Sequence, residues 1–361
     1  MRKWAVTLAL LAVVAFTLAA CAPGPTPVSA PKQQLTGFVV ANAPHYLDVI
    51  NPATHRVHRV LYGATGLTFK SAVAPNHTTA YVPLMTGGTS VIDLKNGQTL
   101  QVIPTPAGGD VARLAPGAQQ LWVAGPNFVN VYDAATPYKL LAAIKGTGTG
   151  TERGLGLVFS KGGHHAFVSG FGPKKTLDVI DTATFKVVKH LSGGGYAAGV
   201  IQPDGKLLWA FNIYTGTVHL ISTSSLKQVG SIPVPSEACP YWNPLQGPKF
   251  HTGYMQGAVG PHGKHIYDGA FDGRILVFSI ARHKLVRSIW VHDPLPAPSA
   301  KNHYGNPHLA QIAGMSWGPR GKHLWVGLAD DQSVLELNPA TGHVVHVFPG
   351  IMSPRFTVVS Y

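Results

Sequence analysis

The stretch LDVIDTATFKVVKHL, residues 177–191, decides how the rest of the chain is read, because the chain keeps rewriting it. Near-copies stand at 47–61 (LDVINPATHRVHRVL), 129–144 (VNVYDAATPYKLLAAI) and 334–348 (VLELNPATGHVVHVF). Each has an alternating apolar segment ending in Asp or Asn, a polar turn, and a second alternating segment. That is the period of half-buried strands joined by a tight turn.

Working outward, two further segments precede each copy. One is a short apolar run ending in a turn, such as AVAPNH, RLAPGA, VFSKGG, VIQPDG, AVGPHG or SWGPRG. The other reads TAYVPL, QLWVAG, HAFVSG, LLWAFN, HIYDGA or HLWVGL. Helical spacing is not sustained beyond the first twenty residues. Aligning the ends of the third segments gives Asn51, Asp93, Asp133, Asp181, Ser222, Ser279 and Asn338, at spacings of 42, 40, 48, 41, 57 and 59. Units of four antiparallel strands repeating at just over forty residues predict an all-β propeller of seven blades. One such sheet cannot bury both faces alone, so the units must stack. The first unit begins at its second strand (GFVVAN, 37–42) and the chain stops after RFTVVSY, 355–361. The last segment is therefore expected to complete blade 1 and close the ring.

The repeat resembles the YVTN-type β-propeller repeat of bacterial exported and surface proteins. The residues that carry it are V-I-D-T-A-T-x-K-V-V at 179–188 and P-D-G-K-x-x-W at 203–209. Units five and six depart from it, with Ser at the Asp position, and unit four lacks the Pro-Asp-Gly turn. The resemblance spans residues 37–361 and implies a seven-bladed propeller. That fold is shared with the methylamine dehydrogenase heavy chain, the haem d1 domain of nitrite reductase, the nitrous oxide reductase propeller and a lactonase family, so fold does not choose function.

The start of the chain reads as an address. Arg2 and Lys3 precede an apolar run that ends in LAAC, residues 18–21. This resembles a lipobox, so residues 1–20 are read as a lipoprotein signal peptide and Cys21 as the lipidation site. Residues 21–36 form a Pro-rich tether to the membrane. Ala22, rather than Asp, resembles lipoproteins sorted to the outer membrane and facing the periplasm. If Cys21 is acylated, Cys239, the only other cysteine, has no disulfide partner.

Without Arg2 and Lys3, 26 basic residues face 15 acidic ones. The cations are scattered, one or two per unit, rather than clustered with aromatics as nucleic-acid binding demands. The charge suits an anionic lipid or polysaccharide instead.

The length in excess of a regular unit falls at 145–154, 235–257 and 292–314. Each joins the outer strand of one blade to the inner strand of the next, so all share one rim. Tyr241, Trp242, Phe250, Tyr254 and Tyr304 in these loops are candidate anchors for a partner, an envelope protein or an anionic polysaccharide, taken up by a monomer. The same loops hold Cys239, His251, Met255, His303 and His308, and Met85, Met315 and Met352 are expected near that rim. Sulfur with imidazole suits copper or haem iron. There is, however, no C-x-x-C, H-E-x-x-H or C-x-x-C-H motif, and gap-filling Met and Cys account for the same residues, so the leading expectation is no cofactor.

Glu152, Glu237, Asp268, Asp272, Asp293, Asp330 and Asp331 are the acids of a lactonase-like alternative. Asp268 closes a second strand and the neighbouring acids fall in turns, where backbone preferences explain Asp. His164, His165, His265 and His323 are expected to be surface residues of the opposite rim. The reading that leads is a binding module without chemistry of its own.

Overall fold

The computed structural model describes residues 38–42, 46–61, 70–105, 108–147, 154–170, 176–192, 196–213, 215–234, 256–270, 273–291, 312–318, 321–328, 332–351 and 357–360. Within them, seven four-stranded antiparallel sheets form. In chain order, sheet 1 contains Phe38–Asn42, Tyr46–Ile50 and Val57–Leu61, with Thr357–Ser360 paired on its inner edge. Sheet 2 runs Ala72–Val73, Thr79–Pro83, Thr89–Asp93, Thr99–Ile103, and sheet 3 runs Val111–Leu114, Gln120–Gly125, Phe128–Asp133, Leu140–Lys145. Sheet 4 runs Gly154–Phe159, His165–Gly170, Leu177–Asp181, Lys186–Leu191, and sheet 5 runs Tyr196–Ile201, Leu207–Asn212, Thr217–Ser222, Gln228–Pro233. Sheet 6 runs Gln256–Val259, His265–Gly269, Arg274–Ser279, Lys284–Trp290, and sheet 7 runs Ile312–Trp317, Leu324–Leu328, Ser333–Leu337, Val344–Pro349. First strands of successive sheets are neighbours, from sheet 2 through sheet 7 to Thr357–Ser360 and back to sheet 2. The architecture is a β-propeller of four-stranded antiparallel blades.

The opening stretch explains itself in the third-to-fourth turn. All seven aligned residues head that turn by accepting a backbone N–H two or three positions on. Asp181 accepts from Thr184 at 2.7 Å, Asn51 from Ala53 at 2.9 Å, Asp93 from Lys95 at 2.8 Å and Asp133 from Ala135 at 2.9 Å. Asn338 accepts from Ala340 at 2.9 Å, and the hydroxyls of Ser222 and Ser279 do the same for Ser225 and Arg282, at 3.1 and 3.3 Å. Bonds from the Thr184 hydroxyl and N–H hold the Asp181 carboxyl below the usual carboxylate range. The repeated Asp is thus a turn device, interchangeable with Asn and Ser because each offers one oxygen at the same reach.

Four or five residues after each head, the chain takes a left-handed conformation: His55, Gly97, Tyr138, Phe185, Leu226, His283 and Gly342. A side chain there costs about 1–2 kcal/mol relative to glycine, yet five of the seven keep one. Packing supplies the reason. Phe185 of sheet 4 meets Trp122 of sheet 3, with ring centroids 6.0 Å apart. His283 of sheet 6 meets Trp209 of sheet 5 at 5.8 Å, and Tyr138 of sheet 3 meets Tyr81 of sheet 2 at 6.0 Å. His55 of sheet 1 stacks on His346 of sheet 7 at 4.2 Å. In each case the strained residue reaches back onto the preceding blade.

Between sheets, apolar clusters fill the interfaces. Leu47, Val49, Val82 and Ile92 pack sheets 1 and 2, and Tyr81, Val91, Leu121 and Val123 pack sheets 2 and 3. Trp122, Leu157, Trp209 and Phe278 belong to a cluster running through sheets 3 to 6, and Phe167, Val179 and Leu208 join sheets 4 and 5. Met315 and Leu335 join sheet 7 to sheet 6, while Trp325, Phe348 and Ile50 join sheet 7 to sheet 1. Only six sheets carry a first-to-second turn, because the first strand of sheet 1 comes from the other end of the chain.

Candidate functional site

The position after the second-strand aromatic singles out one residue. Val82, Val123, Val168, Ala210 and Val326 fill it in sheets 2, 3, 4, 5 and 7, and all are buried. Sheet 6 places Asp268 there, at 0% exposure, and neither carboxylate oxygen has a hydrogen-bond partner. As expected from the sequence, Asp268 stands near the end of a second strand, in the ladder and paired with Gly257 and Leu276; its complete burial was not foreseen. A Cβ on Gly257 would stand 3.2 Å from its Oδ1 and 2.7 Å from Val200 Cγ2, so glycine leaves the room this carboxyl occupies. Burial pushes its pKa well above the carboxylate range, opposed only by the positive charge of Lys70.

Lys70 enters from the inner edge of sheet 2. Its N–H donates to the Asp110 carbonyl at 3.1 Å, and its own carbonyl accepts from Ala112 at 2.8 Å, which seats it beside Val111 of sheet 3. The side chain is 5% exposed. Burial first, and the Arg113 guanidinium second, lower its pKa to about 7, against a smaller pull from Asp268. Arg113 is partly exposed, and its own pKa is lowered by burial. Sheets 2 and 6 are three places apart in the cyclic order, and the charges of Lys70 and Asp268 each favour the charged form of the other. Lys70 begins an inner strand and Asp268 nears the end of a second strand. Both therefore sit toward the rim where outer strands hand over to the next inner strand.

A second polar constellation joins sheets 7 and 1. Glu336 takes the His323 Nδ1 at 2.5 Å on one oxygen and the His55 Nε2 at 3.1 Å on the other. His323 is thus half-buried and bridged, not the plain surface residue expected from its turn. Within sheet 1 Arg59 chelates the fully buried Asp48 at 2.9 and 3.2 Å, and across the same junction it donates to the Gly350 carbonyl at 2.8 Å. Asp178 makes the equivalent pair with His190 at 2.7 Å.

Of the residues chosen from sequence, Cys21, Cys239, Tyr241, Trp242, Phe250, His251, Tyr254, Met255, Tyr304, His303 and His308 lie outside the described residues, as do Glu152, Glu237, Asp272, Asp293, Asp330, Asp331 and Met352. Met315 is a fully buried core residue. Among the described residues, no group of three or more His, Cys, Asp or Glu is arranged to hold a metal ion. Sequence reasoning passed over Lys70, Arg113 and the burial of Asp268. The signal was present in the repeat alignment, where an acid replaces Val or Ala.

No family model matches this chain, and no curated protein does. Among solved structures, a chain of Kuenenia stuttgartiensis hydrazine synthase is similar, with a TM-score of 0.60 and 17% identity, covering 80% of this chain and 88% of that one. At that identity the likeness speaks for the fold alone, and the class of protein is a β-propeller.

Proposed function

We propose that this chain is an exported, lipid-anchored, seven-bladed β-propeller of the YVTN-repeat kind, closed by its C-terminal strand, and that it binds a partner through one rim. The observation that carries this reading is connectivity. Residues 235–255 and 292–311 both link a fourth strand to the next first strand, on either side of sheet 6. They contain Tyr241, Trp242, Phe250, Tyr254 and Tyr304, residue types that anchor interfaces. They emerge at the end of the sheets where Lys70 and Asp268 sit. The opposite rim is taken up by short capped turns. Such a split suits a rigid scaffold that presents one variable face.

Of the seven candidate acids, the one among the described residues, Asp268, has no exposed surface through which to meet a substrate oxygen, so it does not support the hydrolase alternative. Copper or haem at Cys239, His251, Met255, His303 and His308 remains the redox alternative, decided by metal analysis and an absorption spectrum of the native protein. The main test replaces 236–254 and 293–310 by short turns and repeats capture of partners from an envelope extract. Capture should vanish while the melting temperature holds, and retained capture removes the proposal.

A further inference from the structure

The outer circumference of the molecule has a composition the rim reading does not use. None of the seven fourth strands contains an Asp or Glu. All nine of the exposed large apolar side chains among the described residues lie on these strands: Val57, Leu100, Val102, Leu140, Leu141, Val188, Val229, Trp290 and Val345. Edge protection against strand pairing would explain lysines there, but it would not place Val and Trp in water beside them.

Exposed cations also stand on sheets 1 to 3, but on the fourth strands proper four of the six, Lys186, Lys189, Lys284 and Arg287, belong to sheets 4 and 6, and of the other two Arg59 is bonded to Asp48. Along the outer edges of consecutive sheets 4, 5 and 6 stand Lys186, Lys189, Lys227, Arg282, Lys284 and Arg287, all exposed. Among them stand Val188, 48% exposed, Val229, 58%, and Trp290, 45%. Trp290 also carries the Arg274 guanidinium 5.4 Å from its ring centroid. Asp178, the one carboxylate facing this arc from the third strand of sheet 4, is fully buried and held by His190. Asp181 is occupied in its turn.

We infer that the outer edges of sheets 4 to 6 form a docking surface for an anionic lipid bilayer. Lys and Arg seek headgroup phosphates, while Trp and the short aliphatics favour the headgroup–acyl boundary. A soluble polyanion would reward the cations and leave Val188, Val229 and Trp290 without a partner. The arc lies across the ring from sheet 1, where the tether enters. Sixteen residues of Pro-rich chain reach ~50 Å, enough to lay the propeller on its side against its own membrane. The inference takes export and the membrane from the proposed function, but not the rim.

The test reconstitutes the lipidated full chain into phosphatidylcholine vesicles with and without phosphatidylglycerol and follows hydrogen exchange. Amides of Lys186–Leu191, Gln228–Pro233 and Lys284–Trp290 should be protected only on anionic vesicles, and lose that protection in high salt. Equal exchange on both vesicle types overturns the inference. If the chain joins neither vesicle, the anchoring reading has failed. The surface is then tested by adding the chain to preformed vesicles and sedimenting them, and no preference for anionic lipid overturns it. The variant Lys186→Gln/Lys189→Gln/Lys284→Gln/Arg287→Gln should weaken sedimentation on the order of 1,000-fold. Trp290→Ser, which leaves every cation in place, should also weaken it. If Trp290→Ser is silent and dextran sulfate competes fully, the surface is a polyanion site and the bilayer is excluded.

Discussion

Asp268 is the residue at which this chain departs from its own pattern. A buried polar group without a partner costs about 1–3 kcal/mol, and a charged one costs more. Asp268→Val installs the side chain that sheets 2, 3, 4 and 7 carry at this position, so it should raise stability by about 1–3 kcal/mol in denaturant unfolding. A loss of stability would mean that the carboxyl has a partner in solution. Lys70 adds a pH dependence with a defined sign. Its folded pKa, about 7, lies below the unfolded value of 10.5, so the unfolded chain binds more protons between those limits. Stability should therefore rise from pH 7 toward 10 relative to Lys70→Met, measured by urea titration at each pH. Asp268 works the other way: its raised pKa means stability falls as pH climbs above 3.8.

At the scale of the element, the recurring unit is a turn and its staple. Phe185 holds a left-handed backbone so that its ring can reach Trp122. Phe185→Gly relieves the strain of about 1 kcal/mol but removes a large ring from the interface, typically worth 3 kcal/mol or more. The net expectation is a loss of about 2 kcal/mol, read as a lower urea midpoint with an unchanged slope. A gain would show that backbone strain outweighs the staple. This element was legible in the sequence for a physical reason. Its head residue needs only one oxygen at a fixed offset, and its strands need only alternation, both local properties. The staple was not legible, because its two rings lie 63 residues apart in the chain and on different sheets.

At the scale of the whole molecule, the ring depends on its two ends meeting. Val39 and Val359, Val40 and Val358 are paired across a sequence distance of more than 300 residues. The Glu336–His323–His55 bridge and the Arg59–Gly350 bond tie sheets 7 and 1 at the same junction. Deleting 357–361 should therefore lower the unfolding midpoint of the whole domain in one cooperative step. Hydrogen exchange should rise in sheets 1 and 7 first. Fraying confined to sheet 1, with the rest unchanged, would contradict that dependence. The long segments 235–255 and 292–311 could be assigned to a rim from connectivity alone, whereas their chemistry lies beyond what periodicity encodes.

Sequence by itself determined the all-β class, the four-strand unit, and the positions of the seven turn heads. Those follow from period-two alternation and from short-range hydrogen bonds, each complete within a dozen residues. Only the tertiary structure decided that Asp268 and Lys70 are both buried, that His323 and His55 share one carboxylate, and that left-handed residues reach onto the preceding blade. Burial and electrostatic coupling depend on what surrounds a side chain in three dimensions. In a ring, those surroundings come from sheets that the chain does not visit consecutively.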